Sequence, residues 1–110
     1  MDNYTRISEG LKNGHYTANP HEAANDLAVL AGEYAYAIGQ LEIILQRKPA
    51  IWNELRKNFK SDTACERAWQ GTKDGLEEVS LRLREKALGR MISGLRTLVR
   101  IATEEARNNL

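Results

Sequence analysis

From Pro20 onward, along a helix expected to end at about Asn58, the chain places Leu27, Leu30, Tyr34, Ile38, Leu41, Leu45, Trp52, Leu55 and, just beyond, Phe59 at spacings of three, four or seven residues. That is the period of one face of an α-helix, and no stretch sustains the alternation of a strand. Only two prolines interrupt the 110 residues. Pro20 suits a first helical position, with Asn19 placed to cap it and Glu22 where a capping-box carboxylate belongs; Pro49 lies inside the pattern and predicts a kink. The chain reads as all-α.

The segment FKSDTACERAW ends this first helix and starts a second, because Ser61 or Asp62 can cap a new N-terminus. Gly71 and Gly75 in QGTKDGL leave open whether the second helix is whole or broken in two. Ahead of both, Gly10, Asn13 and Gly14 punctuate Tyr4, Ile7 and Leu11, which predicts at most one loosely held helix. The expected organisation is an N-terminal arm over 1–19 and a long antiparallel helical hairpin over 20–110, with helices at about 20–58 and 63–107. A turn near Lys60 and Ser61 makes opposed residue numbers sum to about 121, which sets Trp52 beside Trp69, Leu45 beside Leu76, Ile38 beside Leu83 and Leu30 beside Met91. Arms of that length reach roughly 60 Å.

The apolar faces are too wide for one neighbour. At about 100° per residue, Leu83, Ala87, Met91, Leu95, Leu98, Val99 and Ala102 cover an arc of about 180° on the second helix. The first helix carries another stripe, Val29, Tyr36 and Ile43, opposite its main seam. The expectation is therefore a homo-oligomer, a two-fold dimer first, assembling into a four-helix bundle or larger. Its candidate interface is Val29, Tyr36, Ile43, Met91, Leu95, Leu98 and Val99. The alternative is a monomeric three-helix fold that leaves a few apolar side chains exposed.

Sixteen Lys and Arg against fifteen Asp and Glu give a net charge of +1, so any attraction to a polyanion must be local. The local candidate is Arg82, Lys86, Arg90, Arg96 and Arg100, a basic stripe opposite the apolar face and long enough to follow a phosphate backbone. Glu78 with Arg82 and Arg100 with Glu104 stand at ion-pairing spacing, and antiparallel pairing is expected to bring Glu22, Asp26 and Glu33 alongside. No aromatic side chain sits on the stripe, Trp52 and Trp69 being claimed by the seam. A solvated, ion-paired face is thus favoured over a nucleic-acid surface, with an acidic protein partner third. Arg47, Lys48, Arg56, Lys57 and Lys60 form a second basic cluster, for which Asp62, Glu66, Asp74, Glu77 and Glu78 supply salt-bridge partners.

Signals for catalysis are thin, and an enzyme is not expected. His15, His21 and Cys65 have no metal-site or nucleophile spacing, GTKDG lacks the spacing of a phosphate loop, and the adjacent pairs Glu77-Glu78 and Glu104-Glu105 point to different sides of a helix. No cofactor or metal is expected. A single cysteine, no signal-like start and only short purely apolar runs lead to a cytoplasmic expectation with no membrane association.

The order KSDTACERAW, LRLREKALGRMISGLRTLVR and terminal EEARNNL resembles small helical proteins of tailed bacteriophages and prophages, over residues 60–110. The resemblance implies a phage accessory protein linked to replication or recombination, acting in the cytoplasm of a bacterial host. The functional expectation is a non-enzymatic, oligomeric helical interaction module that binds a host or phage protein. The alternative is a sequence-independent DNA- or RNA-binding protein that uses the basic stripe.

Overall fold

The computed structural model describes residues 1–108, and within them every regular element is an α-helix. The order is α1 (Asn3–Lys12), α2 (His15–Ala18), α3 (Pro20–Arg56), α4 (Asp62–Gln70) and α5 (Lys73–Asn108). The chain divides into two compact units: Met1–Ala35 with Lys86–Leu110, and Tyr36–Glu85.

In the first unit the N-terminal arm is more ordered than its glycines suggest. Asp2 caps α1 by accepting from the Thr5 N–H at 2.7 Å, and Gly14, at φ +77°, supplies the left-handed turn into α2. Gly10 lets the Tyr16 ring lie directly on α1, since a Cβ there would stand 2.8 Å from the ring. Ile7 and Tyr16 are consequently buried together with Ala23, Leu30, Leu88, Met91 and Leu95. The arm is thus two helices, not one loose piece. Asn19 does not place its side chain over α3: its amide donates back to the His15 carbonyl at 3.0 Å. The Glu22 carboxylate likewise meets the His15 ring and not the start of its own helix.

In the second unit α3 runs on through Pro49, which can give the Leu45 carbonyl no N–H. The chain turns after Arg56, and Ser61 caps α4 as expected by accepting from the Ala64 N–H at 3.1 Å. The junction between α4 and α5 decides the packing. Thr72 starts α5: its hydroxyl donates to the Trp69 carbonyl at 2.6 Å and accepts from the Gly75 N–H at 3.0 Å. The glycine-containing stretch therefore does break the second helix, between Gln70 and Lys73. Gly75 is buried so tightly against the end of α4 that a Cβ would fall 1.9 Å from the Trp69 carbonyl oxygen.

This break resets the phase of α5. Glu78 turns inward, whereas Leu76 and Leu83 are 62% and 65% exposed. The expected pairs Leu45–Leu76 and Ile38–Leu83 do not form a buried seam, because the register assumed an unbroken helix. The seam of α3 moves as well, to Ala37, Leu41 and Ile44, while Leu45 and Phe59 emerge to the surface. The antiparallel course itself is present in this unit, where Arg47 reaches Asp74 and Lys48 reaches Glu78.

Candidate functional site

Two buried carboxylates organise the polar interior, one in each unit. Asp26 lies on the face of α3 that also buries Ala23 and Leu30, so its charge requires partners. Arg6 supplies two, Nη1 donating to Oδ2 and Nη2 to Oδ1, both at 2.8 Å, and the Tyr16 hydroxyl donates to Oδ2 at 2.7 Å. The Arg6 hydrogen bonds hold the Asp26 carboxyl below its usual range against the opposing effect of burial. Burial, then the bond to Asp26, pushes the Tyr16 phenol up to about 12.

Glu78 is the counterpart. Its Oε1 accepts from the Trp69 indole at 2.8 Å and from Lys48 Nζ at 3.3 Å, and its Oε2 accepts from Arg82 Nε at 2.9 Å. Burial drives this carboxyl upward, but the bonds from Arg82, Trp69 and Lys48 outweigh it and the net effect is a lowered pKa. The Lys48 ammonium lies over both tryptophans, 5.7 Å from the Trp52 ring centre and 5.1 Å from that of Trp69. The two tryptophans do come together, joined by a cation. No buried side-chain donor or acceptor among the described residues lacks a partner.

These shifts set the pH response. A carboxylate whose folded pKa is lowered stabilises the fold above its unfolded value, and that contribution is lost as pH falls through the folded one. Tyr16 works in the opposite sense, since its raised value gives stability present below pH 10 and lost on approaching about 12. Urea midpoints are expected to be flat from about pH 6 to 9, to fall below about pH 4 and to fall again above about pH 10. A Tyr16→Phe variant should lose much of the alkaline drop, and an unchanged alkaline limb would contradict the role of Tyr16.

The surface candidates fare unevenly. Met91 and Leu95 are buried within the first unit, and Leu98 and Val99 are half-buried. α1 accounts for part of that cover, since Leu11 Cδ2 lies 3.7 Å from the Cβ position of Gly94. The wide face of α5 is thus largely covered by the chain itself, and Met91 and Leu95 offer nothing to a second copy. On α3, Val29 is half-buried, but Tyr36 is 70% and Ile43 46% exposed. A further apolar group, Leu76, Val79 and Leu83, stands exposed on α5 at spacings of three and four. By length and composition α3 is also apolar enough to cross a membrane, with 22% of its most apolar stretch buried in the fold.

No protein-family model matches the chain, and no curated protein or solved structure is significantly similar to it.

All five residues of the basic stripe are exposed, but they differ in what they meet. Arg82 makes the expected pair with Glu78. Arg100 does not pair with Glu104. Among the described residues Lys86, Arg90, Arg96 and Arg100 form no ion pair and no side-chain hydrogen bond. Two of the acids expected to dilute the stripe are engaged elsewhere, Asp26 by Arg6 and Tyr16, and Glu22 by His15. The second basic cluster is largely neutralised as foreseen, with Arg47 on Asp74, Lys48 on Glu66 and Glu78, and Arg56 on Asp62.

Sequence reasoning missed Arg6, Tyr16 and Thr72. A signal for the first two was present, since Asp26 follows Ala23 and precedes Leu30 on one helical face and a carboxylate there needs a donor. Among the described residues no group of three or more His, Cys, Asp or Glu could hold a metal ion. Cys65 is buried, its thiol donating to the Phe59 carbonyl at 3.3 Å.

Proposed function

We propose that the chain is a non-enzymatic helical interaction module, of the phage or prophage accessory kind, that pairs with a second copy through the outer face of α3. The observation that carries this reading is Tyr36, a large side chain exposed by 70% on a helix that already has a buried face. Ile43 lies seven residues on, and Gly39 and Ala50 fall within about 60° of the same direction. A Cβ at Gly39 would meet nothing within 4 Å, so a second backbone can come close there. Tyr36, Gly39, Ile43 and Ala50 carry no charge, and Arg47 and Glu54, which share their side of α3, are already paired with Asp74 and Lys57, so the like-charge repulsion across a two-fold axis is reduced. Such a dimer would act by presenting paired surfaces to a host or phage protein.

Light scattering of the parent is expected to give a dimer, and the double variant Tyr36→Glu, Ile43→Glu a monomer of unchanged helicity. A monomeric parent overturns the reading. Flotation with neutral phospholipid vesicles separates the competing use of the same face, since a parent that floats with the vesicles assigns it to lipid.

A further inference from the structure

We infer that the exposed basic stripe on α5, Lys86, Arg90, Arg96 and Arg100, is a docking surface for the phosphate backbone of duplex nucleic acid. The inference does not depend on self-association, because all four residues lie within the Lys86–Leu110 segment of one unit and a monomer presents them equally. At about 1.5 Å per residue the four span roughly 21 Å, the length of about six base pairs.

Three observations favour a polyanion. First, the four cations are exposed and unpaired among the described residues, so no internal bond has to be broken when they meet phosphate. Second, Asp26 and Glu22, which could have neutralised them, are turned to Arg6, Tyr16 and His15. Glu104, one turn beyond Arg100, makes no pair with it and sets one negative charge against the four cations of the face. Third, the surface between the cations is low: the Cβ position of Gly89 is open, Ser93 is exposed, and the Thr97 hydroxyl folds back onto the Ser93 carbonyl at 3.0 Å. A backbone can therefore approach the helix closely while four long side chains close around it.

A duplex is favoured over a single strand because α5 contains no aromatic residue on which an unpaired base could stack. Nor do Arg side chains on a convex, exposed helix face supply a fixed donor pattern for base edges, so sequence preference is expected to be weak.

The test is fluorescence anisotropy of the full chain with a labelled duplex DNA of about 20 base pairs, from roughly 20 to 200 mM salt. Four neutralised phosphates predict a slope of about −3 to −4 for log affinity against log salt. Arg96→Gln with Arg100→Gln should weaken binding at least ~10-fold at low salt and bring the slope to about −2, with helicity unchanged. Lys60→Gln, which removes a cation from the other unit, should leave affinity within about two-fold. No binding at the lowest salt, equal losses from the stripe and control variants, or tighter binding to a single strand of the same length would overturn the assignment. Duplex binding by a parent shown to be monomeric would uphold this surface while the dimer reading fails.

Discussion

Replacing Gly75 by alanine is expected to destabilise the protein by about 2–3 kcal/mol, although alanine is the better helix former. Helix propensity alone favours the substitution by about 1 kcal/mol. Against that, the new methyl would stand 1.9 Å from the Trp69 carbonyl oxygen and 2.7 Å from its carbon, both backbone atoms that no rotamer change can move. Relief requires α4 and α5 to part. That movement pulls on the Thr72 bridge between the two helices and on the Trp69 indole bond to Glu78. Gly71 provides the contrast, for a methyl there meets only carbonyl oxygens of its own turn, the nearer being that of Ala68 at an ordinary 3.5 Å. Gly71→Ala should stay within about 0.5 kcal/mol of the parent, and urea unfolding followed by circular dichroism reads both. A Gly75→Ala midpoint equal to or above the parent's would show that the close approach is not essential.

Asp26→Ala is expected to cost about 2–4 kcal/mol and to release the N-terminal arm before the rest of the unit. The variant strands the Tyr16 hydroxyl, which is almost wholly buried, and leaves the Arg6 guanidinium with only the long bond to Asn3 Oδ1. Arg6 contributes little to this cost, because its side chain is 45% exposed and can turn to water. Amide exchange should accelerate most in α1 and α2, whose hold on the body depends on Ile7, Tyr16 and this ion pair. The triple variant Arg6→Met, Tyr16→Phe, Asp26→Leu tests the cause, since replacing the whole polar cluster by apolar groups should recover much of the loss. If the triple variant is no more stable than Asp26→Ala, the cost lies in shape and not in stranded polar groups.

The residue pattern places Asp26 on an apolar face where it needs a donor, but it names neither that donor nor the contact at Gly75. Gly75 reads in sequence as a weak point of a helix, and only the fold of α4 against α5 turns it into a point of contact. Asp26 reads as one of several acids near the start of a helix. Its partner stands twenty residues earlier, in a segment whose glycines suggested a loose hold, and pairing across that distance is a matter of how helices dock.

What the sequence determined by itself is the kind of structure. The repeat of Leu30, Ile38, Leu41 and their neighbours at helical spacing, the Ser61 cap and the near-absence of proline are local signals, acting within a turn or two of backbone. They place the end of α3 to within two residues of Arg56 and the start of α4 to within one of Asp62. The tertiary structure decided which faces were used. Thr72 restarts the helix, the new phase turns Glu78 inward and Leu76 and Leu83 outward, and Met91 and Leu95 are buried within the first unit. Those outcomes depend on the azimuth of one helix against another. At about 100° per residue a break of only two residues rotates every side chain beyond it, and no local pattern records that rotation.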